Sequence, residues 1–219
     1  MTEHELKALV ADAVNDAELR SEDIPAIDLY VDQIINLVSS KLDEGSERYR
    51  DRQLTKTMIN NYSKDRIIMP VKGKKYNKEQ ILQMLCVYSL KSTLSIGEIK
   101  RLLWGIYGIE GFSDEDLVNL YDGYQNIKQE SREHSSELLD KLIDDNSIDV
   151  TDDKDYALTI FALVAFSAHL KSMAQAMIEA KYPEPVEEEE EKEKEKVKEK
   201  KEKKEKPKKK KKDDEKSEN

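Results

Sequence analysis

The chain has 219 residues, 38% charged and 37% hydrophobic, with a formal net charge of −10. That suits one or two soluble domains plus a segment that does not fold, and one cysteine, Cys86, excludes a disulfide framework or a CxxC metal site. Acidic residues stand where a signal peptide has a basic region, and no short apolar core follows, so a cytoplasmic location is expected.

Glu3–Leu19 reads as a short amphipathic helix on Leu6, Leu9, Val10, Ala13 and Val14. Pro25 stands near the start of a stronger helix, Ala26–Leu42, whose first turn is acidic as the helix dipole favours. Asp43–Gln53 is a polar linker. Its Arg48, Arg50 and Arg52 either contact phosphates or belong to a solvated basic loop.

Thr55 caps a helix over Lys56–Arg66. Ile59 and Tyr62, with part of Met58, make its apolar side, and Thr57, Asn60, Asn61 and Lys64 lie mostly opposite. Asparagine is a poor helix-interior residue, so the Asn60-Asn61 pair needs a reason. One is that Asn side chains donate and accept together at an adenine edge in the major groove; the plainer one is solvation. Ile67-Ile68-Met69-Pro70 closes the helix, because a residue before proline is pushed out of the α region. Val71–Tyr76 has the size and chemistry of a β-hairpin wing. There Gly73 turns the chain, Lys72, Lys74 and Lys75 meet phosphates, and Tyr76 packs back or touches the nucleic-acid backbone. Asn77 then caps a helix to about Ser92, and Ser95 with Glu98 forms a capping box for one running to about Tyr107.

Gly108–Gly111 is a break, after which Ser113 with Asp116 opens a helix that reaches about Asp145. The polar patch Lys128–Ser136 leaves open whether it is one helix or two. Asp144–Asp155 is acid-rich but lacks EF-hand spacing, and reads as a solvated loop. Asp153–Tyr182 is the most apolar helix. A membrane span needs ~20 uninterrupted apolar residues, and His169 and Lys171 interrupt this one, so no membrane is expected. The helix is expected in the core of the second half, in a dimer interface, or along a small-molecule pocket. Pro183–Asn219 carries fifteen bases and fifteen acids with almost nothing apolar, and cannot fold as a domain. It is a solubilising tail or a nonspecific DNA-tethering arm.

The charge is not evenly spread. Residues 48–78 hold ten bases against two acids, a net of +8, between flanks (1–47 and 79–182) of −9 each. A basic island between acidic flanks is the footprint of a nucleic-acid contact surface. No P-loop, GxGxxG, GxSxG or HExxH occurs, and His4, His134 and His169 stand in unrelated contexts. An enzyme is not expected, nor a cofactor or metal.

The order INNYSKDRII, MP, GKKYNKEQI, LSIGEIKRLL resembles the winged helix-turn-helix of the MerR family of transcription regulators. On that resemblance Ile59 takes the buried leucine position of the recognition helix and Tyr62 its second tyrosine. Ile67-Ile68 takes the Leu-Leu, Lys74 the wing arginine and Tyr76 the wing tyrosine. Leu94-Ser95-Ile96 with Glu98-Ile99 takes the later Phe-Ser-Leu-x-Glu-Ile. Asn60 stands where the family carries arginine, and Gly73 where the wing carries its first tyrosine. More closely, Asp23–Leu103 is similar to a bacterial domain-of-unknown-function family, number 1836, read as MerR-like regulators. IPAIDLYVDQ, LTKTMINNY, KKYNKEQIL and LSIGEIKRLL carry that similarity.

The resulting expectation is a mainly all-α helical bundle: an N-terminal helix (1–22), a winged helix-turn-helix with a short β-wing (23–107), a helical dimerisation or effector region (108–182) and the charged tail. The resemblance implies a homodimer on double-stranded DNA, with an unknown small-molecule effector. Arg48, Arg50, Arg52, Thr55, Lys56, Thr57, Asn60, Asn61, Lys64, Lys72, Lys74, Lys75 and Tyr76 are the candidate DNA contacts. Two rivals stand beside it: an interaction scaffold whose helix-turn-helix no longer touches DNA, and a small-molecule sensor or enzyme seated in the second half.

Overall fold

The computed structural model describes residues 1–17, 19–49, 53–71 and 73–184. Arg50, Arg52, Lys72 and the charged tail from Pro185 onward fall outside them. The chain divides into the units Met1–Ile178 and Glu179–Asn219; the first holds every element below except the last turn of the final helix. That unit is mainly helical: α1 (Glu3–Ala13), α2 (Val31–Leu42), α3 (Lys56–Lys64), α4 (Lys78–Leu90), α5 (Ile96–Tyr107), α6 (Asp114–Asn146) and α7 (Asp153–Lys181). Two short strands, β1 (Leu29–Tyr30) and β2 (Lys75–Tyr76), make an antiparallel ribbon in which Leu29 faces Tyr76 and Tyr30 faces Lys75.

α4 is the axis of the core. Ile81, Leu82, Gln83, Met84, Leu85 and Val87 are all buried, so the helix is covered on nearly every side. Around it lie Ile34 of α2, Leu54, Ile59 of α3, Ile67 and Ile99 of α5, each 0–1% exposed. The first half of α6 closes the cluster with Leu117 and Tyr121. A smaller cluster joins Leu6 of α1 to Leu139 of α6 and Val150.

The local start signals hold. Thr55 Oγ1 accepts from the Met58 amide at 3.2 Å, Asn77 Oδ1 from Gln80 at 3.0 Å, and Ser95 Oγ from Glu98 at 3.2 Å. Ser113 caps α6 in the same way, and α6 is one helix of 33 residues rather than two.

Three expectations are corrected. α1 stops at Ala13 and not near Leu19, because the chain there turns to meet residues 45–49: the Ser46 amide donates to Asn15 O at 2.9 Å. α2 begins at Val31 and not Ala26, because Leu29–Tyr30 is drawn out straight by pairing with β2. For the same reason the expected local hairpin over Val71–Tyr76 is not what pairs β2. Among the described residues its partner is a strand some 45 positions earlier. Gly73, at φ +89°, still makes the turn that leads into it.

Gly45 sits where a side chain has no room, since a Cβ would lie 2.9 Å from the Ala17 amide nitrogen and 3.1 Å from Asn15 O. Both obstacles are backbone. Gly45→Ala is therefore expected to cost about 1–3 kcal/mol, read as a lowered urea midpoint; an unchanged midpoint would mean that the 13–17 segment yields.

α7 departs furthest from expectation. A helix so apolar was expected to be covered, yet from Ile160 to Met173 none of its residues is buried. Only its ends are anchored. Tyr156 packs against the smaller cluster, while Ile178 enters the main core and Gln175 Nε2 donates to Glu98 Oε1 of α5 at 2.6 Å. By length and composition α7 also passes as a membrane crossing, a test that core helices of soluble proteins pass as well. Among the described residues, burial of its middle in the core of the second half does not occur.

Candidate nucleic-acid interface

α3 is fastened by one side and presents the other. Ile59 is fully buried and Tyr62 nearly so, and burial pushes the Tyr62 phenol up from its ordinary value. Thr57, Asn60, Asn61 and Lys64 are exposed, as their helical positions require. Three side chains lock the corner that follows. Trp104 Nε1 donates to Arg66 O at 2.8 Å, where Arg66 turns the chain at φ +54°. Gln83 Oε1 accepts from the Met69 amide at 2.7 Å, and Gln80 Nε2 donates to Pro70 O at 2.9 Å. These two glutamines are buried in the core helix, where a polar group is retained only if it is hydrogen-bonded.

The corner delivers the chain to β2. Tyr76 is 6% exposed, and its hydroxyl lies 3.4 Å from Ser63 Oγ of α3. Of the two roles open to Tyr76, packing back is the one it takes. This contact sets the ribbon beside α3, with Lys74 and Lys75 left exposed.

Several of the cations already have partners within the chain. Lys56 Nζ is 3.1 Å from Asp32 of α2, Lys75 Nζ stands 4.9 Å from the centre of the exposed Tyr30 ring, and Arg48 Nε is 3.1 Å from Asp12 of α1. Exposed pairs of this kind are worth about 0–1 kcal/mol, so a phosphate can displace them. Arg48 is thereby tied to the N-terminal segment. Sequence reasoning overlooked Gln80, Gln83 and Trp104 as the parts that aim α3 and β2, and also Lys100, whose Nζ lies 5.4 Å from the Trp104 ring centre. Two glutamines inside an otherwise apolar helical run were the available signal.

Cys86 is packed against the core, and burial pushes its thiol up to about 12. A thiol held protonated in this way packs as a small hydrophobe. Among the described residues no group of His, Cys, Asp and Glu is arranged to hold a metal.

A family profile described as Domain of unknown function (DUF1836) matches residues 19–127. No curated protein and no solved structure matches the chain. The family match begins at buried Leu19, spans α2 to α5 with the ribbon, and extends past Tyr121 and Gln125 into α6. It thus takes in the first half of α6, which closes the main core, as well as the stretch from which the similarity was read. Residues 19–127 of this chain are a DUF1836 domain.

Proposed function

We propose that the protein is a sequence-specific, DNA-binding transcription regulator of MerR-like type, acting in the cytoplasm as a homodimer. One observation carries the reading. The exposed face of α3, with Thr57, Asn60, Asn61 and Lys64, stands beside a ribbon that bears exposed Lys74 and Lys75. Both lie in the part of the chain whose charge is +8. A helix with amide side chains on its outer face suits a major groove, and lysines on an adjacent ribbon suit the flanking phosphates. The pairing of β2 with a strand ahead of α2 ties this wing to the helix that supports α3.

The dimer is supported by α7. Leu158, Ile160, Phe161, Leu163, Val164, Phe166, Leu170, Met173 and Met177 are each 36–71% exposed. At ~180 Å² for a large apolar side chain, that is about 900 Å² of apolar surface. A monomer ordinarily leaves only a few hundred Å² contiguous, and a standard interface takes about 800 Å² from each partner. These residues occur all around the helix, so α7 pairing with α7 leaves a side for the partner's body to cover. A two-fold dimer would read palindromic half-sites.

The test is selection of genomic fragments by the full chain, followed by titration of the enriched site at two salt concentrations. Lys74→Glu with Lys75→Glu is expected to weaken binding to every sequence and to flatten the salt slope by about 0.9 for each phosphate no longer neutralised. Asn60→Ala and Asn61→Ala are instead expected to erode sequence discrimination, by about 1–3 kcal/mol for each bidentate base pairing removed. No enrichment, with affinity and slope indifferent to the lysines, would move the assignment to a helical interaction scaffold.

A further inference from the structure

A cavity of about 470 Å³ opens between α2, α4, α6 and the segment that holds Asp16, Ala17 and Leu19. Its size is that of a small-molecule site, and its walls include four aromatic rings. Tyr49, Tyr88, Tyr121 and Tyr124 all line it. Three of their hydroxyls are committed to the protein: Tyr121 donates to Leu19 O at 2.6 Å, Tyr49 to Ala13 O, and Tyr124 bonds Ser89. The half-buried rings of Tyr49, Tyr88 and Tyr124 therefore serve as surfaces on which a flat molecule can stack, with the 2% exposed Tyr121 behind them.

Two features give the cavity a polarity. Lys41, Lys91 and Lys128 line it against one acid, Asp16. Lys128 and Arg132 hold Asp16 at 2.5 Å and 3.0 Å. Lys41 pairs with the exposed Glu44 outside the cavity at 3.0 Å, a pair an incoming acid group can displace. The balance is positive. Gln125, also on the wall, is 3% exposed. Its side chain bonds Tyr121, yet its Oε1 is buried with no hydrogen-bond partner among the described residues. A buried acceptor left in that state is costly, and a small turn of the Gln125 amide toward the cavity it lines lets a ligand's donor relieve it.

We propose that this cavity binds a flat aromatic anion that carries a hydrogen-bond donor. The rings stack on the tyrosines, the acid group meets Lys41 and Lys91, and the donor reaches Gln125 Oε1. Lys91 Nζ also lies 3.5 Å from Met58 Sδ of α3, so occupancy of the cavity is physically linked to that helix. The binding itself stands whether or not α3 reads DNA.

Calorimetric titration of the full chain with three probes tests this: a hydroxynaphthoate, naphthoate without the hydroxyl, and naphthol without the acid group. The hydroxynaphthoate is expected to bind tightest, about tenfold over naphthoate for the one added hydrogen bond. Gln125→Leu is expected to abolish that preference while naphthoate still binds. Lys41→Ala with Lys91→Ala is expected to abolish the preference of both acids over naphthol, and decides the matter if the Gln125 variant does not fold. Amide NMR shifts distinguish the cavity from the apolar surface of α7. No saturable binding at millimolar probe, equal affinity for all three, preferences that survive the substitutions, or shifts confined to α7 would each overturn the proposal.

Discussion

Phe161→Glu combined with Met173→Glu is expected to turn the protein from a dimer into a monomer. The two side chains are 71% and 61% exposed, so neither substitution removes packing within the chain, and the thermal midpoint of the isolated fold should hold. They stand on different sides of α7, about 18 Å apart along it at 1.5 Å per residue. Two carboxylates in an apolar interface would each be buried without a partner, which costs several kcal/mol per ion. Sedimentation velocity at micromolar protein reads the result directly. A monomeric variant should also lose most of its affinity for a palindromic site while keeping half-site binding. A wild type that is already monomeric and floats with lipid vesicles would sink the dimer and assign α7 to a membrane instead.

Ile59→Ala is expected to be the most damaging single truncation on the α3 side of the core. Ile59 is 0% exposed on the inner face of α3, where it is one of two buried residues the helix has. Removing three carbons from a packed site loses transfer free energy and leaves a cavity, about 2–5 kcal/mol together. Native stability of a domain is only about 5–15 kcal/mol. A large drop in the urea midpoint at nearly constant slope is the expected reading. A change below about 1 kcal/mol would mean that α3 is held mainly by Tyr62, Trp104 and the glutamines of α4. The comparison with Asn60→Ala, one residue on but on the exposed face, separates loss of fold from loss of recognition.

What could be read in the chain was what the chain decides locally. Thr55, Asn77, Ser95 and Ser113 mark helix starts because a side-chain oxygen reaching an amide three residues on needs nothing distant. The start of α2 was misjudged because Leu29–Tyr30 owes its extended form to residues 75–76, and no local propensity records that. The composition of α7 states that it must be covered, but it is the same for a core helix, a dimer helix and a membrane helix. Only its place in the fold shows that its own chain leaves it bare. The candidate DNA face was legible from charge and helical phase, whereas the corner that aims it was not. Gln80 and Gln83 reach Pro70 O and the Met69 amide across the fold. Gln125 is a similar case: whether a buried oxygen finds a partner is a property of packing, and the residue type alone is silent on it.

The ribbon has an energetic meaning as well. Its two residue pairs join Tyr30 to Lys75 and Leu29 to Tyr76, closing a loop whose entropy costs about 3 kcal/mol by the logarithmic law. Ladder bonds contribute about 1 kcal/mol net apiece, which does not offset that cost. The strands therefore stay together because Leu29 and Tyr76 are buried on a core already formed around α4. In the native state Lys74 and Lys75 therefore ride on a strand whose hold rests on two buried side chains, Leu29 and Tyr76, and not on its ladder. For the function proposed above, the consequence is that the same core that fixes α3 also fixes the strand carrying the two lysines, so helix and wing are presented as one unit.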